Sequence, residues 1–289
     1  MALNKKEWKE LEEKAALLRQ TCLDTTHYAG SGHIGGSLSA MDMLTLIYYK
    51  YANFDPKDYK NENRDRIVVS KGHIGIGLAG IFADLGLIDK EELKSFNKFG
   101  SKLGMHLDSK KVPGLEASTG SLGHGSNIAL GMALAAKVLG KNYKVFTLLG
   151  DGECDEGSVW EAAMCTGHYK ANNLITIVDR NHNMIDGNTE EVMKLEPFAD
   201  KWTAFGFETR VVDGHDMQAM SDVLEEALKA NDKPYCIIID TKKGYGIKAM
   251  QDNYIWHYGA IDDDMYKQAT ADLEEVKKAR LERVEKEGK

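Results

Sequence analysis

An aspartate between two glycines directly follows a strongly apolar segment of this sequence. The segment YKVFTLL leads into Gly150, Asp151 and Gly152, and the next apolar segment, NLITIVD, leads into Asn181 and Asn183. In open parallel sheets, ligands bind beyond the carboxyl ends of the strands. Glycines let a phosphate approach the backbone, and carboxylate, amide and carbonyl oxygens are ligands for a hard cation. These residues could therefore share one octahedral magnesium ion with a diphosphate and water.

Four histidines lie in separate loops that contain glycine. They are His33 in SGHIGG, His73 in SKGHIG, His106 in GMHLD and His257 in YIWHYG. A single histidine of this kind is more often structural than catalytic, but four such loops together favour a site in which imidazoles approach a ligand. Imidazoles exchange protons with oxygens that gain and lose charge during a reaction. His124, His168, His182 and His215 are interpreted as structural, and His27 is left open.

Three further groups of residues are candidates for the same site. Lys71 and Lys243, in SKGH and KKGYG, would suit a phosphate, although two ordinary surface lysines fit equally well. A tight turn into a helix contains Gly120, Ser121, Leu122 and Gly123. Glu156 and Glu161 follow the Gly-Asp-Gly segment and could simply begin a helix, where carboxylates favour the positive end of the dipole.

Short apolar segments alternate with longer amphipathic or alanine-rich ones. The β-branched segments cover residues 66–70, 143–149, 173–179, 208–213 and 235–240, and each is apolar on both faces. Such segments are typical of strands that are covered on both sides. We therefore predict one α/β domain over residues 1–289, with a doubly wound, mostly parallel sheet flanked by helices. It would begin with an N-terminal helical arm and end with a charged, solvated helix over residues 272–289.

The composition narrows the possible partners and locations. A formal net charge of −8 argues against a nucleic-acid partner, because phosphate contact requires a basic face. The four cysteines, Cys22, Cys154, Cys165 and Cys236, show no CxxC pairing and are expected to be reduced. No signal peptide and no apolar run of about 18 residues is present. We expect a soluble, cytoplasmic protein without a membrane partner.

The segment GDGECDEGSVWEAAMCTGHYKANNLITIVDRNHNMIDG resembles the thiamine-diphosphate motif of the transketolase family. The resemblance implies the diphosphate-binding domain of that fold, with thiamine diphosphate and Mg2+, or Ca2+ or Mn2+ as substitutes, as cofactors. Asp151 and Asn181 would be side-chain ligands of the metal, and Asn183 would supply a main-chain oxygen. The family residue at position 183 is usually apolar, but a backbone contact does not depend on the side chain. Ile185 would lie against the cofactor.

The histidine loops also resemble transketolase segments, and this resemblance implies their roles. His33 and His257 would contact the reacting carbonyl end of the sugar, with His257 also near the diphosphate. His73 would lie near the thiazolium and phosphate, and His106 would bind hydroxyl groups of the donor sugar. The backbone at residues 120–123, Gly120, Ser121 and Leu122 above all, would surround the aminopyrimidine edge, with Gly150, Gly152 and Lys243 also at the cofactor. Glu156 and Glu161 would lie at a subunit contact and link two cofactor sites by shared protons.

The resemblance covers most of the chain but only the first half of a full-length transketolase. The family's cofactor needs a glutamate that activates its pyrimidine ring, and this residue belongs to a pyrimidine-binding domain that would follow. We therefore expect a partner subunit that carries the pyrimidine and C-terminal domains, in an α2β2 assembly. The alternative is that the sequence is a fragment of a longer enzyme. The expected reaction transfers a two-carbon ketol unit from a ketose to an aldose, as in the pentose phosphate pathway. The sugars would be phosphorylated, sulfonated or unmodified, and the sequence does not decide among them.

Three other functions remain as alternatives, and a fourth is excluded. The α subunit of a 2-oxo-acid dehydrogenase and deoxyxylulose-phosphate synthase share the metal motif and fold, but the histidine loops favour a sugar-handling enzyme. A non-catalytic homologue is disfavoured, since Asp151, Asn181 and the four loop histidines are all present. A nicotinamide-binding Rossmann protein is excluded because no GxGxxG follows the first predicted strand.

Overall fold

The computed structural model describes residues 3–229 and 232–288, in which five strands form one parallel sheet. Their order across the sheet is β1-β2-β3-β5-β4. The strands are β1 (Arg66–Val69), β2 (Val145–Gly150), β3 (Leu174–Arg180), β4 (Glu208–Asp213) and β5 (Tyr235–Asp240). The predicted strands and the predicted α/β sheet are confirmed, with only small shifts at the strand ends.

Helices cover both faces of this sheet. They are α1 (Lys5–Ala29), α2 (Ile34–Leu46), α3 (Gly75–Asp84), α4 (His124–Val138), α5 (Gly157–His168), α6 (Thr189–Val192), α7 (Phe198–Ala204), α8 (Met217–Lys229) and α9 (Asp263–Glu287). Successive strand residues point to opposite faces. In β3, Ile175 and Ile177 join the core formed with α1, α2, α3 and α8, whereas Leu174 and Val178 pack on the other side. None of the described helices has the length and apolarity to cross a bilayer.

The register of the central strands aligns their carboxyl ends. Gly150, the last residue of β2, pairs with Asp179 of β3, and Asp179 pairs with Ile239 of β5. The loops that follow β2, β3 and β5 therefore leave the sheet side by side. This alignment brings the Gly-Asp-Gly loop, the Asn181 loop and the Lys243 loop to one edge.

Strand β4 does not have the two-sided burial that its composition predicted. It is the last strand in the order and pairs only with β5, so one edge of it is open. The strand is partly exposed along its length, and the side chain of Val211 reaches 60% exposure. The prediction that β4 is covered on both faces was wrong. Its open edge and the incomplete cover by α7 and α8 leave every residue of it partly exposed, whereas β1, the other edge strand, is mostly buried.

The terminal helices are integral parts of the core. The predicted N-terminal arm is α1, whose apolar face, with Trp8 and Leu18, is buried in the main core. The predicted solvated C-terminal helix is α9, which packs along α1. Its Arg280 is only 12% exposed and pairs with Glu12 and, at 3.1 Å, with Asp42. The prediction of a solvated helix was wrong on this face, because paired charges let α9 bury part of its polar surface.

We predict that Arg280→Ala lowers the free energy of unfolding by about 3 kcal/mol, because it removes one partner from buried carboxylates. Lys277→Ala on the same helix is the matched control. Its exposed pair with Glu274 should contribute less than about 1 kcal/mol. Urea unfolding of the two variants measures the difference. Equal losses in both would contradict the proposed anchoring of α9.

Candidate active site

A cleft of about 370 Å³ lies at the carboxyl edge of the sheet. The loops after β1, β2, β3 and β5 supply most of its walls. The start of α2 and the segments at 104–107, 119–123 and 253–258 supply the rest. The cleft is lined by Gly36, Lys71, His73, His106, Gly120, Leu122, Gly150, Asp151, Gly152, Glu153, Asp155, Asn181, Asn183, Met184, Ile185, Lys243 and His257. Most of the residues predicted for the site therefore share one cavity, and its size suits a small-molecule ligand.

Asp151 is buried where the loops after β2 and β3 meet. Its Oδ1 accepts a hydrogen bond from the backbone N–H of Gly152 at 2.9 Å, and its Oδ2 accepts one from the backbone N–H of His182 at 2.7 Å. The guanidinium of Arg180 lies 3.5 Å from the same Oδ2. Burial, together with the neighbouring Asp179 carboxylate, raises the pKa of Asp151 to about 6. A nearby cation would stabilise the ionised form of this carboxylate.

Asn181 and Asn183 lie in the loop that follows β3. The side-chain Oδ1 of Asn181 accepts a hydrogen bond from the backbone N–H of Asn183 at 3.2 Å. The side-chain Nδ2 of Asn183 donates to the backbone oxygen of Asn181 at 3.0 Å, which turns this side chain back onto its own loop. The backbone oxygen of Asn183 accepts from Lys243 at 2.8 Å. The expected metal contact through this oxygen stays a prediction.

Two lysines at the cleft are almost completely buried, so they are not ordinary surface lysines. Lys71 is 1% exposed and forms an ion pair with Asp179, and it donates to the backbone oxygen of Gly36 at 3.1 Å. Lys243 is 2% exposed, and its Nζ lies 2.8 Å from the backbone oxygen of Asn183 and 2.9 Å from Nδ1 of His257. Among the described residues, no carboxylate lies within ion-pairing distance of Lys243. Burial lowers the pKa of Lys243 to about 8.

The four predicted histidines form one cluster. The ring centre of His33 lies 5.1 Å from that of His73, 5.2 Å from that of His257 and 6.2 Å from that of His106. His73 and His257 are stacked at 5.1 Å. The buried Nδ1 of His33 has no hydrogen-bond partner among the described residues. Four imidazoles from four loops therefore lie together. His73, His106 and His257 line the cleft, whereas His33 packs against them and is not among the lining residues.

The environment keeps three of these imidazoles, those of His33, His73 and His257, neutral. Burial and the nearby His106 lower the pKa of His33 to about 4. Burial and the Lys243 ammonium lower the pKa of His257 to about 3, and burial and Lys71 hold the pKa of His73 well below its ordinary value. An ammonium only donates, so Nδ1 of His257 must accept from Lys243. The proton of the neutral His257 ring is therefore on Nε2.

The predicted turn at residues 120–123 closes one side of the cleft. Gly120 has φ of 154°, and a Cβ atom there would lie 2.7 Å from Cδ2 of His106, so glycine is required. The backbone N–H of Gly123 donates to Oε1 of Glu153 at 2.8 Å. Glu153 also accepts from Ser70 and, at 3.0 Å, from the backbone N–H of Gly150. Ser121 is exposed and is not among the lining residues.

The structure does not bring Glu156 and Glu161 into the cleft. Both are exposed at the start of α5. Their expected role at a subunit contact stays a prediction. None of the five other histidines lines the cleft. Of these five, His182 pairs with Asp240 and His215 pairs with Asp42. His27, whose role the sequence does not decide, pairs with Asp263 and stacks on Tyr266.

Sequence reasoning missed two buried carboxylates that organise the site. Glu153 connects the loops after β1 and β2 with the turn at residues 120–123, and Asp179 connects α2 with the loops after β1, β3 and β5. Both residues lie inside the segment at 150–187 that resembles the thiamine-diphosphate motif. Their contacts come from residues far away in the sequence, and nothing local indicated them.

Comparison with known proteins assigns the chain to a family. The family model described as "Transketolase, thiamine diphosphate binding domain" matches residues 11–278. The chain belongs to the transketolase family. It is 39% identical to an apulose-4-phosphate transketolase subunit of Phocaeicola vulgatus over 277 residues, which cover 96% of this chain and 97% of that protein. It is 38% identical over 265 residues to "6-deoxy-6-sulfo-D-fructose transketolase subunit SqwG" of Clostridium sp., covering 92% and 96% of the two chains.

Solved transketolase structures share the fold. The transketolase of Campylobacter jejuni superposes with a TM-score of 0.85 at 31% identity. The match covers 96% of this chain but 46% of that one, so the chain spans less than half of the full-length transketolase. The predictions of the transketolase family, its thiamine-diphosphate-binding region and its fold are thus confirmed.

The neutral histidines make stability depend on pH. The folded-state pKa of His257 lies below that of an unfolded histidine, about 6.5. As the pH falls below that value, the unfolded chain takes up a proton that the folded chain does not, so stability is lost. We predict that the unfolding free energy of His257→Asn falls less steeply between pH 7 and pH 5 than that of the wild type. The difference should be up to about 1 kcal/mol per pH unit.

Urea unfolding at pH 7, 6 and 5 measures this dependence. His168→Asn, at an exposed position outside the cleft, is the matched control and should keep the wild-type slope. If His257→Asn also keeps that slope, His257 is not held neutral in the folded protein.

Proposed function

We propose that this chain is the diphosphate-binding subunit of a split transketolase, which transfers a two-carbon ketol unit from a ketose phosphate to an aldose phosphate. The observation that carries the proposal is the placement of Asp151 and Asn181 at adjacent strand ends, next to a buried ammonium, Lys243, that lacks a carboxylate partner among the described residues. A buried cation of this kind is stabilised by an anionic ligand. A diphosphate with its metal would supply an anion for Lys243 and a cation for Asp151 and Asn181.

The residues present fit thiamine diphosphate and a hard divalent cation. Within the described residues, no group of three or more His, Cys, Asp or Glu side chains could hold a metal, so an all-protein cage is not formed. Magnesium characteristically takes one or two carboxylates and completes its shell with substrate phosphates and water. Asp151, the amide oxygen of Asn181 and the main-chain oxygen of Asn183 would hold Mg2+ in this way, with Ca2+ or Mn2+ as substitutes.

The remaining side chains would hold the organic part and the sugar. Gly150 and Gly152 leave the backbone open to the diphosphate, and Lys243 would neutralise its charge. The charge of Lys71 is already neutralised by Asp179, so we assign it a supporting role. The turn at Gly120, Ser121 and Leu122 would surround the pyrimidine edge, and Ile185, 60% exposed, would cover the cofactor's ring system.

When bound, thiamine diphosphate supplies the nucleophilic carbon and the electron sink for cleaving a carbon–carbon bond next to a carbonyl. The histidine cluster would handle the protons of the sugar. His257 would donate from Nε2–H to an oxygen that gains negative charge, because Lys243 holds its Nδ1 as an acceptor. His33 has a buried Nδ1, unpartnered among the described residues, that would accept a hydroxyl proton. His73 and His106 would bind the adjoining oxygens and orient the donor.

The activating glutamate is proposed to come from a partner subunit. Two segments that contribute Ile185 and His257 to the cleft also carry exposed apolar side chains. They are Ile185, Val192 and Met193 on one segment and Tyr254, Ile255 and Tyr258 on the other, all between 43% and 67% exposed. Such exposed patches are typical of interaction sites. Relatives that are themselves named as transketolase subunits support a partner. We propose an α2β2 assembly in which Glu156 and Glu161 of one copy of this chain contact the same residues of the second copy. We also propose a cytoplasmic location, which is in keeping with four free thiols.

We predict that Asp151→Asn weakens the binding of thiamine diphosphate with Mg2+ by more than about 100-fold, because the cation loses its only carboxylate ligand. The apo protein should keep or gain stability, since the substitution removes a buried carboxylate whose pKa is raised. Titration calorimetry and thermal unfolding measure the two effects. Asp264→Asn, the same substitution at an exposed position of α9 outside the cleft, is the control. Unchanged binding in Asp151→Asn would refute the metal site.

We also predict that the purified chain alone has negligible ketol transferase activity and that adding the subunit with the pyrimidine domain restores it. Transfer from a ketose phosphate to an aldose phosphate is the assay, with pyruvate decarboxylation as the comparison reaction. Robust transfer by the chain alone would defeat the split arrangement. Decarboxylation without transfer would favour a 2-oxo-acid or deoxyxylulose-phosphate type of enzyme.

A further inference from the structure

The amide of Asn181 has two chemically different ends, and its neighbours determine which end faces the cleft. Its Nδ2 lies 3.2 Å from Oδ2 of Asp179, and its Oδ1 lies 3.2 Å from the backbone N–H of Asn183. A carboxylate accepts hydrogen bonds, and a backbone N–H only donates. Both neighbours therefore require the same orientation, in which the carbonyl oxygen accepts from Asn183 and keeps a second lone pair for a cation.

Asp179 is fixed more firmly than a solvent-exposed carboxylate would be. It is fully buried, and its Oδ2 accepts from Ser39 at 2.6 Å and from the ammonium of Lys71, while its Oδ1 accepts from Thr241. These donors come from α2 and from the loops after β1 and β5. Every contact is one in which Asp179 accepts, so the network favours an ionised carboxylate that cannot rotate.

We propose that Asp179 is a positioning residue that presents the carbonyl oxygen of Asn181 to the divalent cation, an inference that rests on the proposed function. Without this carboxylate, only the 3.2 Å contact with the backbone N–H of Asn183 holds the amide of Asn181. A turned amide would oppose a cation with its NH2 end. The same contact explains why an amide stands at position 181. A second carboxylate at this distance from Asp179 would be repelled. Replacing a residue that hydrogen-bonds to a metal ligand, without touching the metal itself, typically costs about 10- to 100-fold in metal affinity.

The test is Mn2+ binding, with thiamine diphosphate present, to the full chain and three variants, followed by electron paramagnetic resonance. Asp179→Asn should weaken Mn2+ binding about 10- to 100-fold. Thr241→Val is the matched control, because it removes a donor from Oδ1 of the same carboxylate and leaves the Oδ2 contact with Asn181. It should lower the thermal stability of the apo protein while keeping Mn2+ affinity within about threefold of the wild type.

The double variant Asp179→Asn/Asn181→Asp exchanges the amide and the carboxylate. A carboxylate at 181 presents an oxygen in either orientation and can accept from the new amide at 179, so it should recover most of the lost Mn2+ affinity. A merely structural role for Asp179 predicts no recovery. If Asp179→Asn does not fold, as circular dichroism would show, the double variant is compared with the wild type. Mn2+ affinity within about tenfold of the wild type then supports the positioning role, and a larger loss overturns it.

The outcomes separate this inference from the proposed function. If the wild type binds no Mn2+ with thiamine diphosphate, the proposed function fails. If the wild type binds and Asp179→Asn binds equally well, or the double variant stays as weak as Asp179→Asn, the positioning role is overturned. Weak binding in Asp179→Asn with recovery in the double variant supports it.

Discussion

The ion pair between Asp179 and Lys71 is the interaction on which the functional edge of this molecule depends. Both groups are completely buried, and two lone charges there would be costly, so each requires the other. Through Ser39 and Thr241, the same carboxylate joins α2 to the loop after β5. The walls of the cleft are thereby held together by a small polar core and not by apolar packing alone.

The sequence allowed much of the architecture to be predicted, because periodicity and strand-end chemistry are local properties. The five strands, the parallel arrangement and the convergence of Asp151 with Asn181 follow from apolar segments and from where the chain leaves them. The grouping of four histidines followed from the resemblance of their loops. Local patterns did not reveal the partial exposure of β4, because its place at the edge of the sheet is a property of the topology.

Other features depended on contacts between distant residues. Lys71 and Lys243 looked equally suited to the surface and to the cleft, and only tertiary packing buries them. Glu153 and Asp179 appeared as ordinary members of a motif, whereas their partners lie on four other segments. The charged composition of α9 predicted solvation, yet Arg280 is covered because Glu12 and Asp42 compensate its charge.

The central claim is that one divalent ion, held at two adjacent strand ends, binds the diphosphate directly. Electron–nuclear double resonance of Mn2+, with thiamine diphosphate and the partner chain present, measures this most directly. We expect one Mn2+ per chain, with a phosphorus-31 hyperfine coupling large enough to require a bond through oxygen. Bound Mn2+ without such a coupling would contradict it, because the metal would then lie away from the diphosphate.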